Sequence, residues 1–216
     1  MSWIKLVLIF SNIPICGCMV LALVQYKRLN KELKIFSWFI FVSAIVQCFS
    51  LALWFFSIHN LFLNHFFVPI SAICIAIFYN SLLSKFINSN VIWTVLTLFL
   101  LTTIANSVFI QPLTAFNSYA LAIQCVLVVI LSLATFLLLM NYGNQLTNEM
   151  NVKSLNWINS GLFIYYASVL ILFYFGDIII KSFSMEVNRY VWLLHSLFYI
   201  IMSGCFFIGL WKRPRI

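Results

Sequence analysis

Seven long apolar runs follow one another along the chain, separated by short polar breaks. Each run is close to the length of about 20 residues that an α-helix needs to cross the hydrocarbon core of a bilayer. The runs are continuously apolar, whereas a membrane β-strand alternates apolar and polar residues. Hydrophobic residues make up 64% of the chain and charged residues 7%, a balance that the surface of a soluble domain does not allow. The sequence therefore predicts an all-α polytopic membrane protein.

The predicted spans leave no room for a separate soluble domain. They cover residues 4–24, 35–57, 65–84, 91–110, 119–141, 157–179 and 191–211. No Pro/Gly/Ser-rich linker or long charged tail lies between them, so we expect one seven-helix transmembrane domain over residues 1–216. The first run has no small-residue cleavage site followed by a polar segment, which favours a retained helix over a signal peptide.

The basic residues predict an orientation. Nine of them fall in the first, third and fifth loops and at the C-terminus, and three fall on the other side. The nine are Lys27, Arg28, Lys31, Lys34, Lys85, Lys153, Lys212, Arg213 and Arg215, and the three are Lys5, Lys181 and Arg189. Because cytoplasmic loops carry the excess of Lys and Arg, we expect an inner-membrane protein with its N-terminus outside and its C-terminus in the cytoplasm. Helix ends and anionic lipid account for the net charge of +8, so we expect a lipid partner and no nucleic acid.

Polar side chains at membrane depth need a partner within the bundle or a wet cavity. With the predicted orientation, most of them lie in the outer half, and neutral amides and imidazoles predominate. This favours a hydrogen-bonding pocket open to the outside over a charged ion path. The predicted ligand-binding residues are Asn64, His65, Asn106, Gln124 and His195. The alternative is that these groups tie helices together.

A second polar cluster is expected in the cytoplasmic half. It comprises Tyr79, Asn80, Asn159, Ser160 and Tyr165. We interpret it as an inner gate or a contact for a cytoplasmic partner, and hydrogen bonding between helices is the alternative. His65 and His195 could also ligate haem or a transition metal, but both lie near the outer surface and no second pair exists, so no cofactor or metal is expected.

An enzyme is the function that the sequence favours least. The four acidic residues, Glu32, Glu149, Asp177 and Glu186, lie in loops or near a helix end. The spans contain no convergent set of acid, base and nucleophile, so we predict no catalytic residues. The last span contains no Lys, which excludes a retinal Schiff base.

Several motifs in spans three to seven are similar to those of one group of bacterial membrane proteins. They are Asn64-His65-Phe66, Phe78-Tyr79, Trp157-Ile158-Asn159-Ser160-Gly161, Ile164-Tyr165, Trp192 with His195-Ser196, and Ile208-Gly209-Leu210-Trp211-Lys212. In these motifs the chain resembles small seven-helix inner-membrane proteins of Bacteroidota. The resemblance implies no particular reaction or ligand for this chain. Members are often encoded beside two-component signalling genes, which implies a sensory or regulatory role.

The sequence favours a membrane sensor or receptor-like module that binds a small molecule or lipid in an outward-facing polar pocket. The loops carry no output domain, so such a module must signal through a membrane or cytoplasmic partner. A small-solute transporter and a structural subunit of a membrane complex are the alternatives. Missing internal repeats and missing charge in the spans weaken the case for a transporter.

The orientation generates the first prediction. An epitope tag at the N-terminus should react with antibody on intact cells, and a C-terminal tag should react only after permeabilisation, because the basic loops hold their side of the bundle in the cytoplasm. Antibody reactivity with and without permeabilisation measures this. An N-terminal tag that is protected inside the cell would reverse the orientation.

Overall fold

The computed structural model describes Val7 and residues 9–84, 86–146 and 152–212, with side chains throughout except at 142–146. Within these residues the chain is helical and contains no strand. Eight helices are described. They are α1 (Ile13–Gln25), α2 (Lys31–Phe55), α3 (Phe62–Leu83), α4 (Ser89–Ala105), α5 (Ser118–Leu146), α6 (Val152–Tyr174), α7 (Gly176–Ser182) and α8 (Met185–Trp211). A 3₁₀ turn, Tyr26–Arg28, follows α1, and a π turn, Asn106–Ile110, extends α4.

Six of the described helices are long and apolar enough to cross a bilayer: α2, α3, α4 with its π turn, α5, α6 and α8. The chain is therefore a multi-pass helical membrane protein. The first predicted span overlaps α1, of which 13 residues are described, while residues 4–6 and 8 lie outside the described part. A seventh span stays a prediction.

The long helices begin earlier than their apolar runs predict, and in α2 and α8 a capping residue in the polar break starts the helix. Asn30 caps α2 by accepting a hydrogen bond from the backbone N–H of Leu33 at 3.1 Å. Ser184 caps α8 in the same way, through the backbone N–H of Val187 at 3.4 Å. Such caps satisfy N–H groups that a helix start leaves without an intrahelical partner. The polar first turns therefore belong to the helices.

The predicted sixth span does not continue as one helix. The helix α6 ends at Tyr174, and the short helix α7 starts at Gly176. A Cβ on Gly176 would lie 2.4 Å from the ring of Phe116, so glycine permits this close approach. Asp177 lies in α7, where its carboxylate accepts a hydrogen bond from Lys181 Nζ at 2.7 Å. The only acidic residue of a predicted span is thus outside the long helix, in an ion pair.

The described basic residues gather at one end of the bundle, here called the basic end. There α1, α3, α5 and α8 finish and α2, α4 and α6 begin. The residues at this end are Lys27, Arg28, Lys31, Lys34, Lys153 and Lys212, whereas Lys181 and Arg189 lie at the opposite end. Lys5, Lys85, Arg213 and Arg215, which also entered the orientation prediction, lie outside the described residues. Which end faces the cytoplasm stays a prediction.

The helix α6 packs against both α5 and α8, and these are the two most extensive helix contacts of the described bundle. Two glycines bring α6 and α8 close together. A Cβ on Gly161 would lie 2.8 Å from Cys205 Cβ, and one on Gly209 would lie 2.8 Å from Ile158 Cγ1. The Ser154 hydroxyl donates a hydrogen bond to the Gly209 carbonyl across the same contact. Small residues allow such close backbone approach in membranes, and we call this contact the α6–α8 seam.

A stack of phenylalanine rings fills the half of the bundle nearer the basic end. Phe36 lies at its centre, with ring centroids 4.9 Å from Phe78, 4.8 Å from Phe206 and 5.6 Å from Phe39. All four side chains are buried. Their offset and edge-to-face geometries are those that aromatic pairs prefer. We call this group the phenylalanine plug.

The seam generates the second prediction. Gly161→Ala should lower the free energy of unfolding by about 1–3 kcal/mol, because its methyl group overlaps Cys205 on the facing helix. Gly204→Ala is the matched control on α8, since a Cβ there meets nothing within 4 Å. It should leave stability unchanged or slightly higher, because alanine favours helix. Unfolding in detergent micelles measures both, and equal effects would contradict the seam.

Candidate functional site

A cavity of about 490 Å³ opens at the end of the bundle opposite the basic end. Its volume falls in the range of about 300–1,000 Å³ that is typical of small-molecule sites. We call it the entrance cavity. Polar side chains from α2, α3, α8 and the connecting segments line much of its wall: Ser11, Asn12, Gln47, Ser50, Asn60, Asn64, Asn188, Arg189, His195 and Ser196.

A narrower space of about 120 Å³, here called the deep chamber, lies next to the entrance cavity and shares part of its wall. The shared residues are Gln47, Ser50, Asn64, Phe116, Trp192, His195 and Tyr199. Beyond them, Ser43, Gln124, Tyr165 and Phe173 line the chamber. Phe39 of the phenylalanine plug is also part of its wall. The site therefore runs from the bundle end inward to the plug.

One face of α8 forms a continuous side of this site. Arg189, Trp192, His195 and Tyr199 recur at spacings of three and four residues, which places them on the same side of a helix. At 1.5 Å per residue, this face extends about 15 Å along the helix axis. Arg189 lies nearest the start of α8, and Tyr199 lies beside the deep chamber.

His195 joins α8 to α6 inside the site. Its Nε2 lies 2.9 Å from the hydroxyl oxygen of Tyr165, so one of the two groups donates a hydrogen bond to the other, according to the imidazole tautomer. The imidazole is nearly parallel to the ring of Tyr199 and has Phe173 and Trp192 within 6 Å between centroids. Aromatic rings thus surround a hydrogen-bonded pair that belongs to two helices.

Two buried hydroxyl groups at the deep chamber have no hydrogen-bond partner among the described residues. They belong to Ser43, which is 2% exposed, and Tyr199, which is 6% exposed. Gln47 also lines the chamber, beside Tyr199, but the contact between the two side chains does not have the geometry of a hydrogen bond. An unpaired hydroxyl away from water is costly. Two residues of the chamber wall therefore carry buried hydroxyl groups without a partner among the described residues.

The predicted ligand-binding residues separate into two groups. Asn64 and His195 line both the entrance cavity and the deep chamber. Gln124 lines the deep chamber, and its Nε2 donates to Ser71 Oγ at 2.8 Å. His65 and Asn106 line neither space. Ligand contact by the first three stays a prediction, and the other two lie behind the wall of the site.

His65 holds the connection between α4 and α5. Its Nε2 lies 3.1 Å from the carbonyl oxygen of Ala115, which can only accept, so this nitrogen carries a proton. Its Nδ1 lies 2.8 Å from Ser107 Oγ in the π turn. The next residue in the connection is Phe116, whose ring forms part of the cavity wall. His65 therefore holds the backbone next to a residue of the cavity wall.

Asn106 belongs to a buried amide network in the same connection. Its Nδ2 donates to Gln111 Oε1 at 3.0 Å and to Asn117 Oδ1 at 2.8 Å. Gln111 in turn donates to the Ser118 hydroxyl at 2.7 Å, at the first residue of α5. These side chains are all at most 5% exposed. Asn106 Oδ1 and Asn117 Nδ2 have no hydrogen-bond partner among the described residues, so the network satisfies the buried amides only in part.

Three of the polar residues near the basic end form one hydrogen-bonded group. The Tyr79 hydroxyl donates to Asn159 Oδ1 at 2.9 Å and lies 2.7 Å from the Ser132 hydroxyl. Asn159 Nδ2 donates to the Ser132 carbonyl at 3.0 Å. All three side chains are fully buried and come from α3, α5 and α6. We call this group the inner triad.

The other members of the predicted inner cluster lie apart from the triad. Tyr165 lies with His195 in the deep chamber. Asn80 and Ser160 are half-buried, and Asn80 Oδ1 has no hydrogen-bond partner among the described residues. A gating or partner-contact role for these residues stays a prediction. The position of a residue along its helix predicts how far it lies from the ends of the bundle. It does not predict which of two neighbouring helices the side chain faces.

Sequence reasoning missed several members of the site, among them Arg189 and Ser43. Arg189 was assigned only to a loop, although its spacing from His195 along one helix face could have placed it at the cavity. Ser43 carries no sequence signal, since serine in an apolar run often bonds to its own helix. Across the described residues, no group of three or more His, Cys, Asp or Glu side chains is arranged to hold a metal ion.

Comparisons with known proteins leave the site to be interpreted from its geometry. No family model matches the chain, and no curated protein or solved structure matches it. The resemblance to Bacteroidota inner-membrane proteins stays a prediction.

The inner triad generates the third prediction. Tyr79→Phe should lower the free energy of unfolding by about 1 kcal/mol, because it removes the hydroxyl group that Asn159 Oδ1 and Ser132 share. Tyr174→Phe is the matched control, since Tyr174 is 52% exposed and should lose little. Unfolding in mixed micelles compares the two. Equal stability of both variants would mean that the triad does not tie the helices.

Proposed function

We propose that this protein is a membrane sensor that binds a small molecule or lipid in an outward-facing cavity and signals through a partner protein. The observation that carries the proposal is the His195–Tyr165 contact. It lies at the inner end of a cavity of ligand size, and it joins the two helices that form the α6–α8 seam. The proposed activity is binding and signalling rather than catalysis.

The deep chamber supports a binding role. Its lining residues include Ser43 and Tyr199, whose buried hydroxyl groups have no hydrogen-bond partner among the described residues, and several aromatic rings. Ligand sites combine apolar walls with a few polar groups that fix orientation. A bound molecule can satisfy these hydroxyls and cover the rings. Both changes favour the occupied state over the empty one.

The half of the bundle beyond the chamber supports sensing over transport. The phenylalanine plug borders the chamber through Phe39, and the inner triad ties α3, α5 and α6 together nearer the basic end. Passage of a solute would require these buried groups to separate. Binding at the cavity requires no such separation. We therefore favour a sensor, and a small-solute transporter is the second candidate function.

The seam offers a physical route for the signal. Gly161 and Gly209 leave no free space between α6 and α8, so a displacement of one helix must move the other or separate them. At the basic end the seam finishes where Lys212 Nζ lies 5.1 Å above the ring of Trp157. With the predicted orientation, this surface faces the cytoplasm. A partner that contacts it would sense the occupied cavity through the helix pair.

The fourth prediction uses Ser43 to close the chamber. Ser43→Leu should fill the space of about 120 Å³ and remove an unpaired hydroxyl, so the protein should stay folded and lose its ligand. Ser43→Ala is the matched control, because it removes the same hydroxyl and leaves the chamber open. Mass spectrometry of compounds that co-purify from native membranes should find a ligand with the wild type and Ser43→Ala only. An identical extract from Ser43→Leu would contradict the proposed site.

Liposomes distinguish the two candidate functions. The compound identified in that extract should bind to reconstituted protein without accumulating inside the vesicles. Accumulation that the Ser43→Leu variant abolishes would replace the sensor with the transporter.

A further inference from the structure

We infer that the ligand is an elongated monoanion, with an acidic group held at Arg189 and an apolar or aromatic body that reaches the deep chamber. This inference rests on the proposed binding function and names the chemical class that the same site accepts. It follows from the charge, the length and the wall of the cavity.

The charge of the site comes from one side chain. Arg189 is the only Lys, Arg, Asp or Glu among the described residues that line the entrance cavity or the deep chamber. Its Nη2 contacts Met185 Sδ at 3.4 Å, and the described residues give it no ion pair. Asp177, in the helix just before α8, is already paired with Lys181. The guanidinium is therefore available to an anion that enters from the bundle end.

Arginine is well suited to an acidic ligand. Its planar guanidinium holds a carboxylate through two parallel hydrogen bonds, which are stronger than bonds between neutral groups. Arg189 is half-buried at the cavity wall. Screening by water is weaker there than on an open surface. The acidic group of a ligand would thus be held near the start of α8.

The length of the site requires an elongated molecule. Arg189 and Tyr199 are ten residues apart on one helix face, which corresponds to about 15 Å along the axis. The deep chamber at the far end measures about 120 Å³, somewhat less than the cavity of about 150 Å³ that accepts benzene in another protein. A single ring or a short apolar chain fits this space. Phe116, Tyr165 and Phe173 would surround it.

The aromatic wall alone does not set the sign of the ligand's charge. A cation over aromatic rings is attracted by their negative faces. In this site no carboxylate lines either space within the described residues, and Arg189 lies at the entrance. A cation would pass a like charge and find no opposite charge inside. The electrostatics favour an anion.

Three probes with one scaffold and different charges test this inference. They are 4-phenylbutyrate, 4-phenylbutanol and 4-phenylbutylammonium, each with a single ring at the end of a short chain. Saturable binding of labelled probes to the full chain in phosphatidylcholine nanodiscs is measured at neutral pH. We expect the acid to bind about tenfold more tightly than the alcohol, because the bond to Arg189 is charge-assisted. The ammonium probe should bind most weakly.

Substitutions at Arg189 assign the preference to that residue. Arg189→Gln should bring the affinities for the acid and the alcohol to the same value, and Arg189→Lys should retain part of the difference. Lys27→Gln is the matched control, since it removes one positive charge from a residue that lines neither space and leaves the Lys181–Asp177 ion pair in place. It should behave as the wild type. Circular dichroism of each variant confirms that the helices are intact.

The inference would be overturned if no probe bound saturably, or if the acid preference survived Arg189→Gln. Tighter binding of the alcohol or the ammonium probe, abolished by Ser43→Leu, would also overturn it, but would retain the proposed ligand site. Acid binding that depends on Arg189, together with accumulation of the acid in liposomes, would support the inference and refute the sensor. The two proposals therefore fail separately.

Discussion

A bilayer offers polar side chains no hydrogen-bond partner, so each one within a span must find a partner in the bundle or face a wet cavity. The protein meets this requirement differently in its two halves. Near the basic end, Tyr79, Ser132 and Asn159 satisfy one another in a fully buried triad. At the opposite end, polar side chains line a cavity of about 490 Å³. One half is closed by internal bonding, and the other half is open.

The α6–α8 seam extends through both the closed half and the open half. The His195–Tyr165 pair lies on this seam at the deep chamber, and Gly161 and Gly209 hold the same helices together toward the basic end. The amide network around Asn106 and the contacts of His65 position the loop that carries Phe116. Residues behind the cavity wall therefore shape the site without lining it. A molecule that alters the His195–Tyr165 contact would act on a helix pair that spans the bundle.

The sequence predicted the class of the fold better than it predicted contacts. Six of the seven predicted spans correspond to long apolar helices, the seventh stays a prediction, and the described basic residues collect at one end as expected. The hydrophobicity of a residue does not tell whether it faces lipid or a neighbouring helix, because lipid is as apolar as the protein interior. Tyr165 was therefore grouped with Asn159, although it bonds to His195, and His65 was placed in the pocket, although it lies behind the wall. Those assignments depend on helix rotation, which only tertiary packing fixes.

Thiol accessibility tests the division into an open and a closed half most directly. Single cysteines at position 64 in the cavity and position 132 in the triad would be introduced after replacing the six native cysteines. A charged, membrane-impermeant thiol reagent is then applied to intact cells and to permeabilised cells. In a bundle with one open half and one closed half, position 64 should react in intact cells and position 132 should react in neither preparation. Protection of position 64 until the cells are permeabilised, or reaction at position 132, would contradict it.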